Sequence, residues 1–78
     1  MSENREIFLF QNIRQVILAE QWCRENKLPV KVIPVPKPHS SECGMCLEMD
    51  QVAGDQLAVF AHERGMVTQR ISPFNTNK

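Results

Sequence analysis

Three prolines spaced two residues apart, Pro34, Pro36 and Pro38, constrain this chain more than any other feature. In an extended segment alternate residues turn their backbone groups to the same side, so the three missing N–H donors fall along one edge. Such an edge cannot feed a hydrogen-bond ladder. The segment is therefore an edge strand of a sheet, or an arm leaving one. It follows directly on Val30-Lys31-Val32-Ile33, whose β-branched residues predict a strand. Beyond the prolines, His39-Ser40-Ser41-Glu42 reads as a polar turn, and Cys43 and Cys46 follow at Cys-x-x-Cys spacing.

The rest of the chain reads as a scaffold for this segment. Glu6 to Phe10 is a short apolar and aromatic run, the composition of a buried central strand. Asn12 is a good helix N-cap, and Gln15 three residues later can complete a capping box. Ile13, Val16, Ile17, Ala19 and Cys23 then recur at helical spacing, predicting a helix over about 13–26 with one apolar stripe. Glu20 falls near that stripe. Either it leans to the edge and pairs with Arg24 at i+4, or it is a half-buried acid that hydrogen-bonds the cysteine loop. A third strand is expected from about Met45, with Met45, Leu47 and Met49 on one face and Cys46 and Glu48 on a polar one. Asp50 can cap a second helix whose apolar face is Val52, Ala53, Leu57, Phe60 and Ala61, with a stop at Arg64-Gly65. Residues 66–72 form a fourth strand, which Pro73 ends.

The resulting order is β-α-β-β-α-β. Right-handed crossovers then favour a ferredoxin-like α+β sandwich: a four-stranded antiparallel sheet, both helices on one face, strands one and three central. The second strand lies at an edge, where the prolines require it. One small domain spans 1–78, with its core at about 6–72 and a frayed tail over 73–78.

Nine basic and nine acidic side chains cancel, which leaves no single-signed field for a phosphate backbone. Nucleic-acid binding is thereby disfavoured. The polar start, Met1 to Glu6, has no signal-peptide core, and no apolar run approaches the ~20 residues that span a bilayer. A cytoplasmic location with reduced thiols is expected, and an odd count of three cysteines also argues against a disulfide scaffold.

In this topology the Cys43 loop, Arg14 at the start of the first helix, Lys37, His39, and His62 and Arg64 at the end of the second share one end of the sheet. A helix N-terminus and nearby cations favour the thiolate, which is the nucleophile. Gly44 beside Cys43 lets a partner sulfur or backbone come close. Blander readings stand beside these. Cys46 can be a small strand residue, Cys23 a buried small hydrophobe, His62 a residue that suits a helix C-terminus, and Met45, Met49 and Met66 core filler.

Phe10, Glu20, Pro34, Pro36, Ser40, Ser41, Cys43 and Gly44 carry a resemblance. The chain resembles a family of small bacterial proteins described as selenium/sulfur carrier-like, over roughly residues 6–71. That family's pattern is an early Phe strand, an Ala-rich helix with an inward Glu, a proline segment, then Ser-Ser-x-Cys-Gly and an apolar strand. Lys37-Pro38 stands where the family usually has Arg and a non-proline residue, so a single ammonium replaces a bidentate guanidinium.

The resemblance implies a carrier rather than a true enzyme, with no cofactor and no metal. Cys43 would hold sulfur or selenium as a persulfide or selenosulfide, taken from a donor protein and given to an acceptor protein. Cys46 would be its resolving thiol, with Gly44, Ser40, Ser41, His39, Lys37, Arg14 and Glu20 around the site. The alternatives are a thiol-disulfide oxidoreductase using Cys43-Gly44-Met45-Cys46, a soft-metal chaperone, and an interaction module without chemistry. In redox proteins of the first kind the motif opens a helix, whereas here it opens a strand.

Overall fold

A computed structural model describes residues 5–37, 39 and 44–74, without the side chains of Pro73 and Phe74. The elements are β1 (Arg5–Leu9), α1 (Ile13–Glu25), β2 (Val30–Pro34), β3 (Met45–Asp50), α2 (Gln51–Glu63) and β4 (Gln69–Phe74). The strands form one sheet in the order β2-β3-β1-β4, every neighbouring pair antiparallel. This is the expected ferredoxin-like arrangement, with β1 and β3 central. α1 packs on β2 and β3, and α2 packs on β1 and β3.

The helix boundaries follow from their caps. Asn12 Oδ1 accepts the Gln15 N–H at 2.9 Å, and Asp50 Oδ1 accepts the Ala53 N–H at 2.8 Å. The Gln15 side chain reaches the Gln11 N–H at 3.2 Å, one residue before the expected partner. At the far end of α2 the Met66 N–H donates to the Ala61 carbonyl and the Gly65 N–H to that of His62, with Gly65 at φ +71°. α1 ends in the same pattern through Leu28 and Lys27, and Lys27 takes the left-handed conformation at φ +60°.

Both apolar stripes are narrower than the sequence spacing suggests. On α1 Val16, Ala19 and Cys23 are buried, whereas Ile13 and Ile17 are about half exposed. On α2 Val52 is exposed, and Gly54 takes a buried place beside Ala53, Leu57, Phe60 and Ala61. A helix lying on a sheet has only a limited arc in contact with it, and positions a quarter turn away stay wet.

Two corrections concern the strands. Pro73 does not end the last strand: β4 runs through it to Phe74 and starts at Gln69 rather than 66. Ile7 pairs with Ile71 and Arg5 with Phe74, so β4 carries one extra residue where Pro73 sits. A bulge on an edge strand is a place where proline's missing donor does no harm. Most of the expected tail over 73–78 lies outside the described residues, which end at Phe74.

At the proline segment, the Val35 N–H donates to the Gly44 carbonyl at 3.1 Å. Alternation then turns Pro34 toward the free side of β2, as the sequence requires. Pro36 has left the strand, and Pro38 lies outside the described residues.

Under α2 lies an ion pair whose acid is buried and whose guanidinium is 31% exposed. Glu6 is 1% exposed. Arg70 Nη2 meets its Oε2 at 2.6 Å, and Arg70 Nε reaches both its oxygens at 3.0 and 3.1 Å. The same Nη2 meets Asp55 of α2 at 2.6 Å, and the guanidinium lies 5.5 Å from the Phe8 ring centroid. These carboxylates raise the Arg70 pKa further, mainly by accepting its hydrogen bonds, Glu6 first and Asp55 next. A Cβ on Gly54 would collide with the Glu6 carboxylate and also crowd Arg70. Disturbing a bidentate pair whose acid is buried leaves charge without compensation, at about 3–5 kcal/mol. Gly54→Ala should therefore lose on the order of 3 kcal/mol in urea unfolding. Ala58→Gly on the same helix should lose only about 1 kcal/mol, the propensity cost.

Candidate functional site

β2 ends at Pro34 and β3 begins at Met45, and we call the segment that joins them the arm. The His39 N–H donates to the Pro36 carbonyl at 2.9 Å. Gly44 is exposed at φ +75°, a conformation that costs a residue with a side chain about 1–2 kcal/mol. The motif's Cys-Gly sequence thus has a backbone reason at its glycine. Cys43, Ser40 and Ser41 lie outside the described residues.

Register places the arm. Ile33, Cys46 and Leu9 lie across from one another at the end of the sheet from which the arm emerges. α1 begins just beyond Leu9, so Arg14 in its first turn is at that end too, exposed. Lys37 is exposed and His39 half-buried. His62, in the last turn of α2, reaches the same end of the domain. Arg64 follows it but lies 4.8 Å from the Phe60 ring centroid, beside Leu18, Gln21, Trp22 and Glu25 of α1. It is thus engaged between the helices. Glu20 takes the i+4 reading: Arg24 Nη2 meets its Oε1 at 2.6 Å.

Cys46 requires a correction. Its face of β3 is not polar at that position. Cys46 is fully buried with Ile7 and Leu9, and Ile33, Val35 and Ile71 pack around them. Its Sγ lies 4.0 Å from the Pro34 carbonyl oxygen, the outer limit for a thiol donor. Glu48, two residues on, is buried as well and faces Arg5 at 3.4 Å.

Cys23 is fully buried on the other side of the sheet, in the core beneath α1. Burial, with Glu20's charge adding, pushes its thiol from an ordinary 9.0 up to about 11.

A shallow cleft of about 590 Å³, lined by Arg5, Pro29, Val30, Lys31 and Glu48, lies at the opposite end of the sheet from the arm. Among the described residues no three His, Cys, Asp or Glu side chains are grouped to hold a metal ion. Among them, too, no helix is long and apolar enough to cross a membrane.

The family described as "Putative Se/S carrier protein-like" matches residues 5–73. The chain belongs to that family. The match runs from the first residue of β1 into β4 and takes in the whole arm. Among curated proteins and solved structures, none matches. A carrier family implies interacting donor and acceptor proteins in general.

Sequence reasoning overlooked the Glu6–Arg70–Asp55 group. Its signals were an acid opening an otherwise apolar strand and a glycine in the middle of a helix.

The Cys23 shift has a sign that can be checked. Between about 9 and 11 the unfolded chain has lost this proton and the folded chain has kept it. The contribution is fully present below pH 9 and is lost as pH rises through 11. Urea midpoints should fall from pH 8 to pH 10.5, and Cys23→Ala should flatten that fall.

Proposed function

We propose that this chain carries sulfur or selenium on Cys43, as a persulfide or selenosulfide, between a donor protein and an acceptor protein. The observation that carries the reading is the family match across the whole arm. The burial of the chain's other two thiols, Cys23 and Cys46, adds support. Cys43 directly precedes Gly44 in sequence, and Gly44 lies at the end of the sheet where α1 begins. Arg14, Lys37 and His39 supply positive or titratable charge at that end, which favours a thiolate.

The transfer is redox-neutral. The Cys43 thiolate attacks the outer sulfur of a donor persulfide, forming a new S–S bond as the old one breaks. The donor leaves as its thiolate. An acceptor thiolate repeats the step on the outer sulfur of the Cys43 persulfide, and Cys43 leaves as the thiolate. Selenium in the outer position follows the same course. The scaffold's part is to hold the arm by β2 and β3 while leaving its chemistry outside the core.

The oxidoreductase reading has less support. Cys46 sits inside β3 rather than opening a helix, and it is fully buried.

Intact mass after incubation with a cysteine desulfurase and either cysteine or selenocysteine, whose outer sulfur or selenium the desulfurase holds on its own thiol, tests the proposal. The wild type should gain one sulfur or one selenium. Cys43→Ser should gain none, and Cys46→Ala, which keeps the site apolar, should still gain one. Efficient reduction of insulin disulfides by the wild type, or equal loss of cargo in both variants, would replace the carrier with a dithiol redox catalyst.

A further inference from the structure

The free side of β2 has a definite hydrogen-bonding pattern. Because the Val35 N–H addresses β3, Ile33 and Lys31 do as well, and Val30, Val32 and Pro34 address the open side. Val30 and Val32 offer both a donor and an acceptor there. Pro34 offers only its carbonyl.

An exposed apolar strip runs beside this edge. Trp22 stacks on Phe60 of α2 with ring centroids 4.5 Å apart, so the Trp22 flank of α1 faces α2. Ile17 and Ile13 lie roughly 140° and 180° round the helix from Trp22. They therefore occupy the flank turned away from α2, on the side of β2. Ile13, Ile17 and Val32 are 47%, 50% and 46% exposed, and Pro34 beside them is exposed too.

We propose that this edge is the interface of a two-fold dimer of the chain, with β2 of each copy pairing antiparallel to the other and centred on Val32. The occupant follows from the self-complementarity of the edge. Centred on Val32, the two copies of that residue exchange both backbone bonds. Each Val30 N–H then donates to the partner's Pro34 carbonyl, so every outward donor is used. Centring on Ile33 sets Val32 against Pro34 and leaves the Val30 donors without acceptors. Centring on Lys31 uses the donors but places two ammonium groups directly opposite, which is destabilising. The Val32 register sets Lys31 against Ile33 instead.

The same two-fold keeps all four helices on one face and brings the Ile13, Ile17 and Val32 strips of both copies together. Glu20 and Arg24, near this flank, enter already paired. Antiparallel pairing sends the two Pro34–Met45 ends of the copies to opposite ends of the eight-stranded sheet.

Sedimentation equilibrium of the full chain in reductant, from ~1 to ~300 μM, tests this. A dimer with a Kd of about tens of μM is expected for an interface of this modest size. Val32→Pro removes the central donors without touching the β2–β3 ladder, and Ile17→Lys charges the strip. Each should raise the Kd at least ~10-fold with an unchanged circular dichroism spectrum. Val67→Lys, at a residue 63% exposed between α2 and β4, should leave it alone. If Val32→Pro fails to fold, Ile17→Lys decides. A wild type that stays monomeric throughout, or a dimer that Ile17→Lys leaves intact, overturns the proposal.

Discussion

The Glu6–Arg70 ion pair ties together three elements that have few other reasons to hold one register. β4 is an edge strand with a bulge, and residues 64–68 separate it from α2. Arg70 joins it to β1 through Glu6 and to α2 through Asp55. A pair of this kind adds little net stability over an apolar substitute, because desolvation offsets most of the Coulomb attraction. It adds specificity instead. A shift of β4 by one residue would turn Arg70 to the other face and leave Glu6 buried with no cation. Gly54 is part of the same constraint, since any side chain there would occupy the carboxylate's place.

The sheet is buried on both faces near its centre. Phe8, Phe10, Leu47 and Met49 meet the helices, while Ile7, Leu9 and Cys46 form a second small cluster on the opposite face. The central strands β1 and β3 supply buried apolar residues to both faces, and the edge strand β2 adds Val30 to one and Ile33 to the other. The second cluster also gives the arm its footing. Ile33 and Val35 pack into it from the strand that leads to the arm, and Cys46 enters from the strand that receives it. Cys46 thus belongs to the packing of this second cluster.

The prolines limit how far β2 can be used. Pro34 closes the free edge at the point where the strand becomes the arm, which keeps the arm from being drawn into further sheet. What remains is a short, donor-bearing stretch at Val30 and Val32. A stretch that short suits one defined contact better than open-ended association.

Local sequence was enough to specify much of this architecture. Asn12, Asp50 and Gly65 set helix ends because caps act within a few residues. The alternating prolines made β2 an edge because a missing N–H is a property of the residue itself. The order of elements then left one reasonable topology. Burial was less legible. Ile13 and Ile17 have the spacing of a core stripe but stay exposed, since the arc of α1 in contact with the sheet is set by how the layers pack. Cys46 alternates with Met45 and Leu47, which told correctly that it faces away from the helices. That this face is apolar depended on Ile7, Leu9 and Ile33, brought across from two other strands. Glu6 and Arg70 are separated by 64 residues, and nothing local marks them as partners. Capping, chain stiffness and periodicity are encoded over a few residues and could be read directly. Charge pairing and the polarity of a face arise only when distant strands meet, so the tertiary structure alone decided them.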